Sequence, residues 1–247
     1  MQAQDPRGFN QRNNGHFQAL ACDYDGTIAR DGVVAPATVE ALRTLRASGR
    51  NLLLVTGRRL DELLCIFNHP ELFERIVAEN GAVLYRPHTR EFLDLSGPPP
   101  ARFVELLRER GVRPLEIGRV IVATREPQQV AVLEVIRTLG LELQVIFNKG
   151  AVMVLPSGVN KATGLKRALE ELSLGPESVV AVGDAENDHA FFDFCGFSVA
   201  VANALPAVQE HADFTTAAPN GAGVVELIHA LMQSGLQPKR RVDARAE

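Results

Sequence analysis

The sequence predicts an α/β fold in which a doubly wound parallel sheet is covered by helices on both faces. Short apolar runs such as NLLLV and SVVAV alternate with helical periodicity along the chain, which is typical of parallel strands buried on both sides. Residues 96–157 have a different sequence pattern: they begin with the run SGPPP, which interrupts regular structure, and continue with two helical and three strand patterns. We therefore expect a small α+β domain inserted into the core.

These observations divide the chain into a core, an insert and two ends. The predicted core takes residues 16–95 and 158–236, and the inserted segment, residues 96–157, separates its two parts. Residues 1–15 are polar and residues 237–247 are mostly charged. Neither end has the apolar surface needed to order itself, so we expect two flexible tails.

Individual helices and turns can be placed from their end signals. The first helix has Pro36 near its start and Gly49 just past its end, in agreement with the preferences of proline and glycine for those positions. A second helix follows the N-cap candidate Asn160 and ends before Gly175. Within the inserted segment, the run NKG at residues 148–150 separates two strand patterns and predicts a hairpin turn.

Composition excludes several classes of function. The 247 residues are 46% hydrophobic and 23% charged, as is usual for globular domains. Lys and Arg number 26 against 30 Asp and Glu, so no basic field attracts nucleic acid or acidic lipid. The three cysteines are dispersed, unlike those of a disulfide scaffold. No secretory signal and no apolar run of about 18 residues stand out. We expect a cytoplasmic protein with no membrane or nucleic-acid partner.

Residues suited to chemistry, through a side chain or through the backbone, follow three of the predicted strands. They are Asp23 and Asp25, then Thr56 and Gly57, then Asp184, Asn187 and Asp188. The carboxyl ends of parallel strands lie at one edge of a sheet, where open α/β folds bind ligands. Because strand side chains alternate, we expect the carboxylates of Asp23 and Asp25 to share one pocket. Two such charges require a cation or a shared proton.

Each of these patterns also has a purely structural interpretation. The acids after the first strand fit an Asx turn, Thr56 fits a helix N-cap, and the acids at residues 184–188 fit a favourable helix N-terminus. Lys161 is more informative, because the helix dipole disfavours a cation in the first turn by about 0.3–1 kcal/mol. An anionic partner is therefore expected near Lys161, the alternative being a solvated lysine.

Taken together, these residues suit phosphoryl transfer. Asp23 can attack phosphorus as a carboxylate nucleophile, and Asp25 can protonate the leaving oxygen and then deprotonate water. Mg²⁺ would lie between Asp23, the backbone carbonyl of Asp25 and Asp184. Thr56 and Lys161 would bind the phosphate oxygens whose charge must be stabilised during transfer.

Four motifs in order carry a resemblance to a known family. They are DYDGT at residues 23–27, TGR at 56–58, VNKATGL around Lys161 and GDAEND at 183–188. In type and spacing they resemble the haloacid dehalogenase superfamily of phosphohydrolases, within it the Cof-like branch with a type IIB cap. The run ENGAVLY at residues 79–85 is similar to the hairpin that precedes the cap in this family.

The resemblance implies a Rossmann-like core, a cap domain over the site and Mg²⁺-dependent hydrolysis of a phosphate monoester through an aspartyl phosphate. The substrate would be a small phosphorylated metabolite, either a sugar phosphate or a phosphoglycolate-like compound. The implied catalytic residues are Asp23, Asp25, Thr56 and Lys161. The implied phosphate-binding residues are Thr56, Gly57, Lys161 and Asn187. The implied metal residues are Asp23, Asp25, Asp184 and Asp188.

Two other functions stay open. A phosphomutase of the same superfamily would return the phosphoryl group to a bound sugar phosphate instead of passing it to water. A non-catalytic phospho-acceptor or ligand-sensing module would also cluster acids, threonine and lysine around Mg²⁺. The sequence leaves the oligomeric state open. Seven polar residues in and near the inserted segment could contact a polar or acidic leaving group, although we expect most of them to be solvated surface groups: Arg86, His88, Arg113, Arg119, Arg125, Asn148 and Lys149.

Overall fold

The structure is a computed structural model that describes residues 17–233. Its strands are β1 (Ala19–Cys22), β2 (Ala29–Arg30), β3 (Val33–Val34), β4 (Asn51–Val55), β5 (Arg75–Ala78), β6 (Val83–Arg86), β7 (Glu91–Asp94), β8 (Glu116–Ile117), β9 (Val122–Arg125), β10 (Leu143–Asn148), β11 (Ala151–Pro156), β12 (Val179–Gly183), β13 (Phe197–Ala200) and β14 (Phe214–Thr215). Its α-helices are α1 (Pro36–Ala47), α2 (Leu60–Ile66), α3 (Ala101–Glu109), α4 (Gln129–Leu139), α5 (Lys161–Leu172), α6 (His189–Phe194), α7 (Pro206–His211) and α8 (Asn220–Met232).

The core is built on one eight-stranded sheet with the order β14-β13-β12-β1-β4-β5-β6-β7. The first six strands in that order are parallel, which confirms the predicted doubly wound α/β class. The last two pairings, β5 with β6 and β6 with β7, are antiparallel. The sheet departs from a purely parallel one there because the short turn after β5 is too brief for a crossover, which needs about a dozen residues.

Both faces of this sheet are buried, as the apolar runs of the sequence predict. In β1, Leu20 packs in a cluster with α1 and α8, while its neighbour Ala21 packs in a second cluster with α5, α6 and α7. Strand β4 divides in the same way, with Leu52 in the first cluster and Leu53 in the second. Because strand side chains alternate, successive residues of each strand pack into two separate apolar clusters, one on each face of the sheet.

The inserted segment contains the second sheet, of order β10-β11-β9-β8, together with α3 and α4. Phe103 and Val132 from the two helices pack with Val152 of β11 against one face of this sheet. Met153 of β11, the next residue, instead belongs to the same apolar cluster as α1 and α8 of the core. The second sheet therefore has one face covered by its own helices and the other packed against the core.

Some predictions fall outside the described range. The two predicted tails, residues 1–15 and 237–247, lie outside it, as do residue 16 and residues 234–236 of the predicted core. The limits of the inserted segment stay a prediction. Between residues 17 and 233, no helix combines the length and the apolar character needed to cross a membrane.

Candidate active site

Strand pairing brings the chemically suited residues of three strands to one edge of the large sheet. Strand β1 lies between β12 and β4 and pairs in parallel with both. Asp23 directly follows β1, Thr56 follows β4 and Asp184 follows β12. These three residues therefore lie at the carboxyl edge of adjacent strands, where ligands bind in folds of this class.

A buried cluster of three acids and one lysine occupies this edge. Carboxylate oxygens of Asp23, Asp184 and Asp188 all lie within 4.8 Å of one another. Lys161, which is fully buried, donates hydrogen bonds of 2.5 Å to Asp23 Oδ1 and of 2.5 Å to Asp188 Oδ1. The anionic partner expected for a lysine in the first helical turn is thus present twice, and residues from both parts of the core meet in one group.

Burial and mutual charge shift the pKa values of this cluster. Burial raises the pKa of Asp23 well above its usual value; Lys161 counteracts this, while Asp188 and Asp184 add to it. Burial is also the main cause of a raised pKa at Asp184, against a hydrogen bond from Lys149 that lowers it. Burial disfavours the charged form of Lys161, but Asp188 and Asp23 outweigh it and the pKa of Lys161 is raised. The cluster therefore favours additional positive charge.

The donor set of the cluster fits a divalent metal ion. Asp188 is oriented by the backbone N–H groups of Asp184 and Ala185, which donate to its Oδ2 at 2.7 and 2.9 Å. Thr27 Oγ1 donates to Asp184 Oδ1 at 3.1 Å. Carboxylate oxygens are the ligands that hard cations such as Mg²⁺ prefer. Three such groups, held by neighbouring donors, could therefore share one cation.

A glycine makes room for this arrangement. Gly26 has a φ of +80°, and a Cβ at this position would lie 2.1 Å from Asp184 Oδ2. Any larger residue would therefore displace the carboxylate of Asp184 and would also adopt an unfavourable backbone conformation. The glycine of the DYDGT motif thus permits the close approach of the first motif to the fourth.

The carboxylate of Asp25 departs from the expectation of a pocket shared with Asp23. Arg58 Nε and Nη2 donate to the two oxygens of Asp25 at 2.6 and 2.7 Å, and the side chain of Asp25 is 43% exposed. The physical reason is that β1 ends at Cys22, so strand alternation does not extend as far as Asp25. Asp25 instead lies at the rim of the site, oriented by a bidentate arginine.

The predicted phosphate-binding residues bring a second polar group to the site. The buried hydroxyl of Thr56 accepts the backbone N–H of Arg58 at 3.1 Å. Asn187 Nδ2 donates to Asn80 Oδ1 at 3.0 Å and lies 3.6 Å from the position of a Cβ on Gly57. Within the described residues, Asn80 Nδ2 and Asn187 Oδ1 are buried without a hydrogen-bond partner. These two atoms are therefore open to a hydrogen bond with a water molecule or a ligand.

The inserted segment makes two contacts with the core that the predicted site did not include. Lys149, at the hairpin turn of the inserted segment, donates from Nζ to Asp184 Oδ2. Glu79 accepts three backbone N–H groups from residues 119–121, at 2.8 to 2.9 Å, which ties the core to the inserted segment. The one available signal for Lys149 is that residues 96–157 contain no other lysine. Nothing in the local pattern around Glu79 predicts its contact.

Comparisons of the sequence with known proteins show which family the chain resembles. The sequence model of the haloacid dehalogenase-like hydrolase family matches residues 20–111 and 116–228. A phosphoglycolate phosphatase of Methanothermobacter thermautotrophicus is 33% identical over 227 residues, covering 87% of this chain and 99% of that protein. A second one, from Saccharolobus solfataricus, is 30% identical over 223 residues, covering 86% and 91%.

Solved structures agree as to the fold. A haloacid dehalogenase-like hydrolase from Bacteroides thetaiotaomicron superposes with a TM-score of 0.76 at 21% identity, covering 87% of this chain and 99% of that chain. A subclass IIB sugar phosphatase of the same superfamily superposes with a TM-score of 0.70 at 19% identity, covering 87% and 99%. The resemblance predicted from the four motifs is thereby confirmed, and the chain belongs to the haloacid dehalogenase-like hydrolase family.

Proposed function

We propose that the chain is a Mg²⁺-dependent phosphohydrolase that cleaves a small phosphate monoester through an aspartyl phosphate on Asp23. The observation that carries the proposal is the buried cluster in which Lys161 bonds to both Asp23 and Asp188 beside Asp184. Membership of a hydrolase family and two relatives named phosphoglycolate phosphatase support it. The substrate class is a phosphoglycolate-like compound or a sugar phosphate.

The metal would be held by the carboxylates of Asp23, Asp184 and Asp188 and by the backbone carbonyl of Asp25. When bound, Mg²⁺ supplies positive charge to the phosphate oxygens and to the buried carboxylates. The excess of acids over cations in the cluster, and the raised pKa values of Asp23 and Asp184, favour such an ion.

In the first step, a carboxylate oxygen of Asp23 forms a bond to phosphorus while the bond from phosphorus to the leaving oxygen breaks. Asp25 donates a proton to that leaving oxygen. Lys161 and Thr56 bind oxygens of the phosphoryl group, and the raised pKa of Lys161 keeps its ammonium charged throughout. The products of this step are the free alcohol and an aspartyl phosphate on Asp23.

In the second step, Asp25 takes a proton from a water molecule whose oxygen attacks phosphorus. The bond between phosphorus and Asp23 breaks, so inorganic phosphate leaves and the carboxylate of Asp23 is restored. For both steps the carboxylate of Asp25 turns towards the reacting oxygen from the rim of the site, where Arg58 holds it through two hydrogen bonds. The unpartnered Asn80 Nδ2 offers the phosphate a further donor.

We assign the inserted segment as a cap domain that limits the size of the leaving group. Met153 Sδ lies 3.4 Å from the position of a Cβ on Gly57, so β11 covers the loop after β4 closely. Ile121 and Leu155 join Met153 in the apolar cluster of the core. Close apolar packing of this kind restricts the site to a small leaving group and limits the access of water to the reacting atoms.

The test is phosphate release from a panel of phosphorylated metabolites, including 2-phosphoglycolate and sugar phosphates, in the presence of Mg²⁺. The wild type should complete many turnovers, and Asp23→Asn should lose at least about 1,000-fold in kcat because it lacks the nucleophile. The control Asp61→Asn changes an exposed acid of α2 and should keep activity. A variant Asp23→Asn that stays within about tenfold of wild type would contradict the assigned nucleophile.

The same experiment separates the two alternatives. A phosphomutase would require a bisphosphate activator and would convert one sugar phosphate into another without net release of phosphate. A phospho-acceptor module would incorporate one phosphoryl group per chain and stop. Sustained release from a simple monoester such as p-nitrophenyl phosphate contradicts both.

A further inference from the structure

The hairpin between β10 and β11, in the inserted segment, places the ammonium group of Lys149 in the site. Asn148 pairs with Ala151, so Lys149 and Gly150 form a two-residue turn, with φ values of +46° and +81°. Lys149 Nζ donates to Asp184 Oδ2, and its backbone N–H donates to Glu186 Oε2 at 3.4 Å. These two contacts hold the turn of the hairpin against Asp184 and Glu186.

The position of Lys149 differs from that of Lys161. Lys161 belongs to α5 of the core and is fully buried between two acids, whereas the side chain of Lys149 is 41% exposed and contacts one. By contrast, Met153 of β11 belongs to the apolar cluster of the core, and its Sδ lies 3.4 Å from the position of a Cβ on Gly57. Among the described residues of the inserted segment, Lys149 is the one that forms an ion pair with the acidic cluster.

We propose that Lys149 selects substrates whose leaving group carries an anion, such as a carboxylate, next to the phosphate; this rests on the proposed function. Asp23, Thr56 and Lys161 belong to the core, so a phosphate bound among them directs its leaving group towards the inserted segment. The flexible stem of Lys149 allows its ammonium to turn from Asp184 to that group. A carboxylate there accepts a charge-assisted hydrogen bond, whereas a neutral hydroxyl leaves the cation without a matching charge.

The selection can be measured with two compounds of similar size, 2-phosphoglycolate and 2-hydroxyethyl phosphate. The wild type should prefer the first in kcat/KM. Lys149→Met should lower kcat/KM for 2-phosphoglycolate by about 10- to 100-fold and that for 2-hydroxyethyl phosphate by less than about threefold, since one charge-assisted bond is lost. Lys149→Arg should keep most of the preference because it keeps the charge.

Two further variants serve as controls. Lys166→Met makes the same change at an exposed position of α5 and should leave both values unchanged. Lys149→Asn removes the charge with a residue that tolerates the left-handed backbone of the turn, and it should reproduce the effect of Lys149→Met. An equal loss for both compounds, or no loss for either, would overturn the selection by Lys149.

Binding measurements separate this proposal from the proposed function. Calorimetric affinities of both compounds are measured for Asp23→Asn with and without Lys149→Met. If the wild type releases no phosphate while 2-phosphoglycolate still binds in a manner that depends on Lys149, hydrolysis is refuted and selection stands. If phosphate is released but the affinity for both compounds falls equally, hydrolysis stands and selection is refuted.

Discussion

Gly81 is the position where a single methyl group should disturb the site from a distance. It lies in the turn between β5 and β6 with a φ of +106°, and a Cβ there would lie 1.9 Å from the backbone oxygen of Asn160. Asn160 caps α5, accepting the backbone N–H of Thr163 at 3.0 Å, and Lys161 is the first residue of that helix. Gly81→Ala must therefore push the start of α5 or move the turn.

The size of the effect follows from two separate costs. A left-handed backbone costs an alanine about 1–2 kcal/mol, and an atom forced into a packed site costs about 1–3 kcal/mol. We expect Gly81→Ala to lower the free energy of unfolding by about 2–5 kcal/mol, or the thermal midpoint by about 4–20 °C for a chain of this length. Gly49→Ala bears the first cost alone, because Gly49 has a φ of +87° and nothing within 4 Å of its Cβ position.

The assay compares thermal unfolding and phosphate release for wild type, Gly81→Ala and Gly49→Ala. Gly81→Ala should be the less stable of the two variants by at least about 1 kcal/mol. It should also lose activity, because displacement of Lys161 from Asp23 weakens phosphate binding, whereas Gly49→Ala should stay active. Equal stability of the two variants would refute the inferred backbone contact between the turn and α5.

Two predictions concern Glu79 and Glu171. Glu79→Gln replaces an acceptor of three N–H groups from residues 119–121, so we expect stability to fall by about 1–3 kcal/mol and limited proteolysis of the inserted segment to accelerate; unchanged cleavage would contradict this. Hydrogen bonds from Arg86 and Arg75 lower the pKa of Glu171 from 4.5 to about 2, so its ionised form stabilises the fold above pH 4.5 and loses that contribution as the pH falls towards 2. After allowance for solvent screening, Glu171→Gln should lower the free energy of unfolding, measured with urea, by about 1–2 kcal/mol at pH 7 and by little near pH 2. A difference that does not depend on pH would contradict the assignment.

Much of the site could be predicted because its residues are marked by local pattern. Asp23, Thr56 and Asp184 each follow an apolar strand directly, and parallel order then places them at one edge without further information. Lys161 was detectable because a cation is unfavourable where its helix begins. Motif order and spacing added the family, which the comparisons confirm.

The remaining contacts depend on packing between distant parts of the chain. The partner of Asp25 could not be inferred, because it depends on where β1 ends and on the direction in which Arg58 leaves its loop. The contact of Lys149 with Asp184 depends on how the second sheet rests on the first. That of Glu79 with residues 119–121 depends on the same packing. Neither is encoded in a local period or a short motif.

The apolar face that joins the second sheet to the core has a thermodynamic consequence. Lifting that sheet to admit a substrate would expose Ile121, Met153 and Leu155 to water, and hydration of apolar groups carries a positive heat capacity. The free-energy difference between the form with the sheet packed on the core and the form with the sheet lifted should therefore vary non-linearly with temperature. Because apolar association weakens on cooling, the form with the sheet lifted should gain population in the cold.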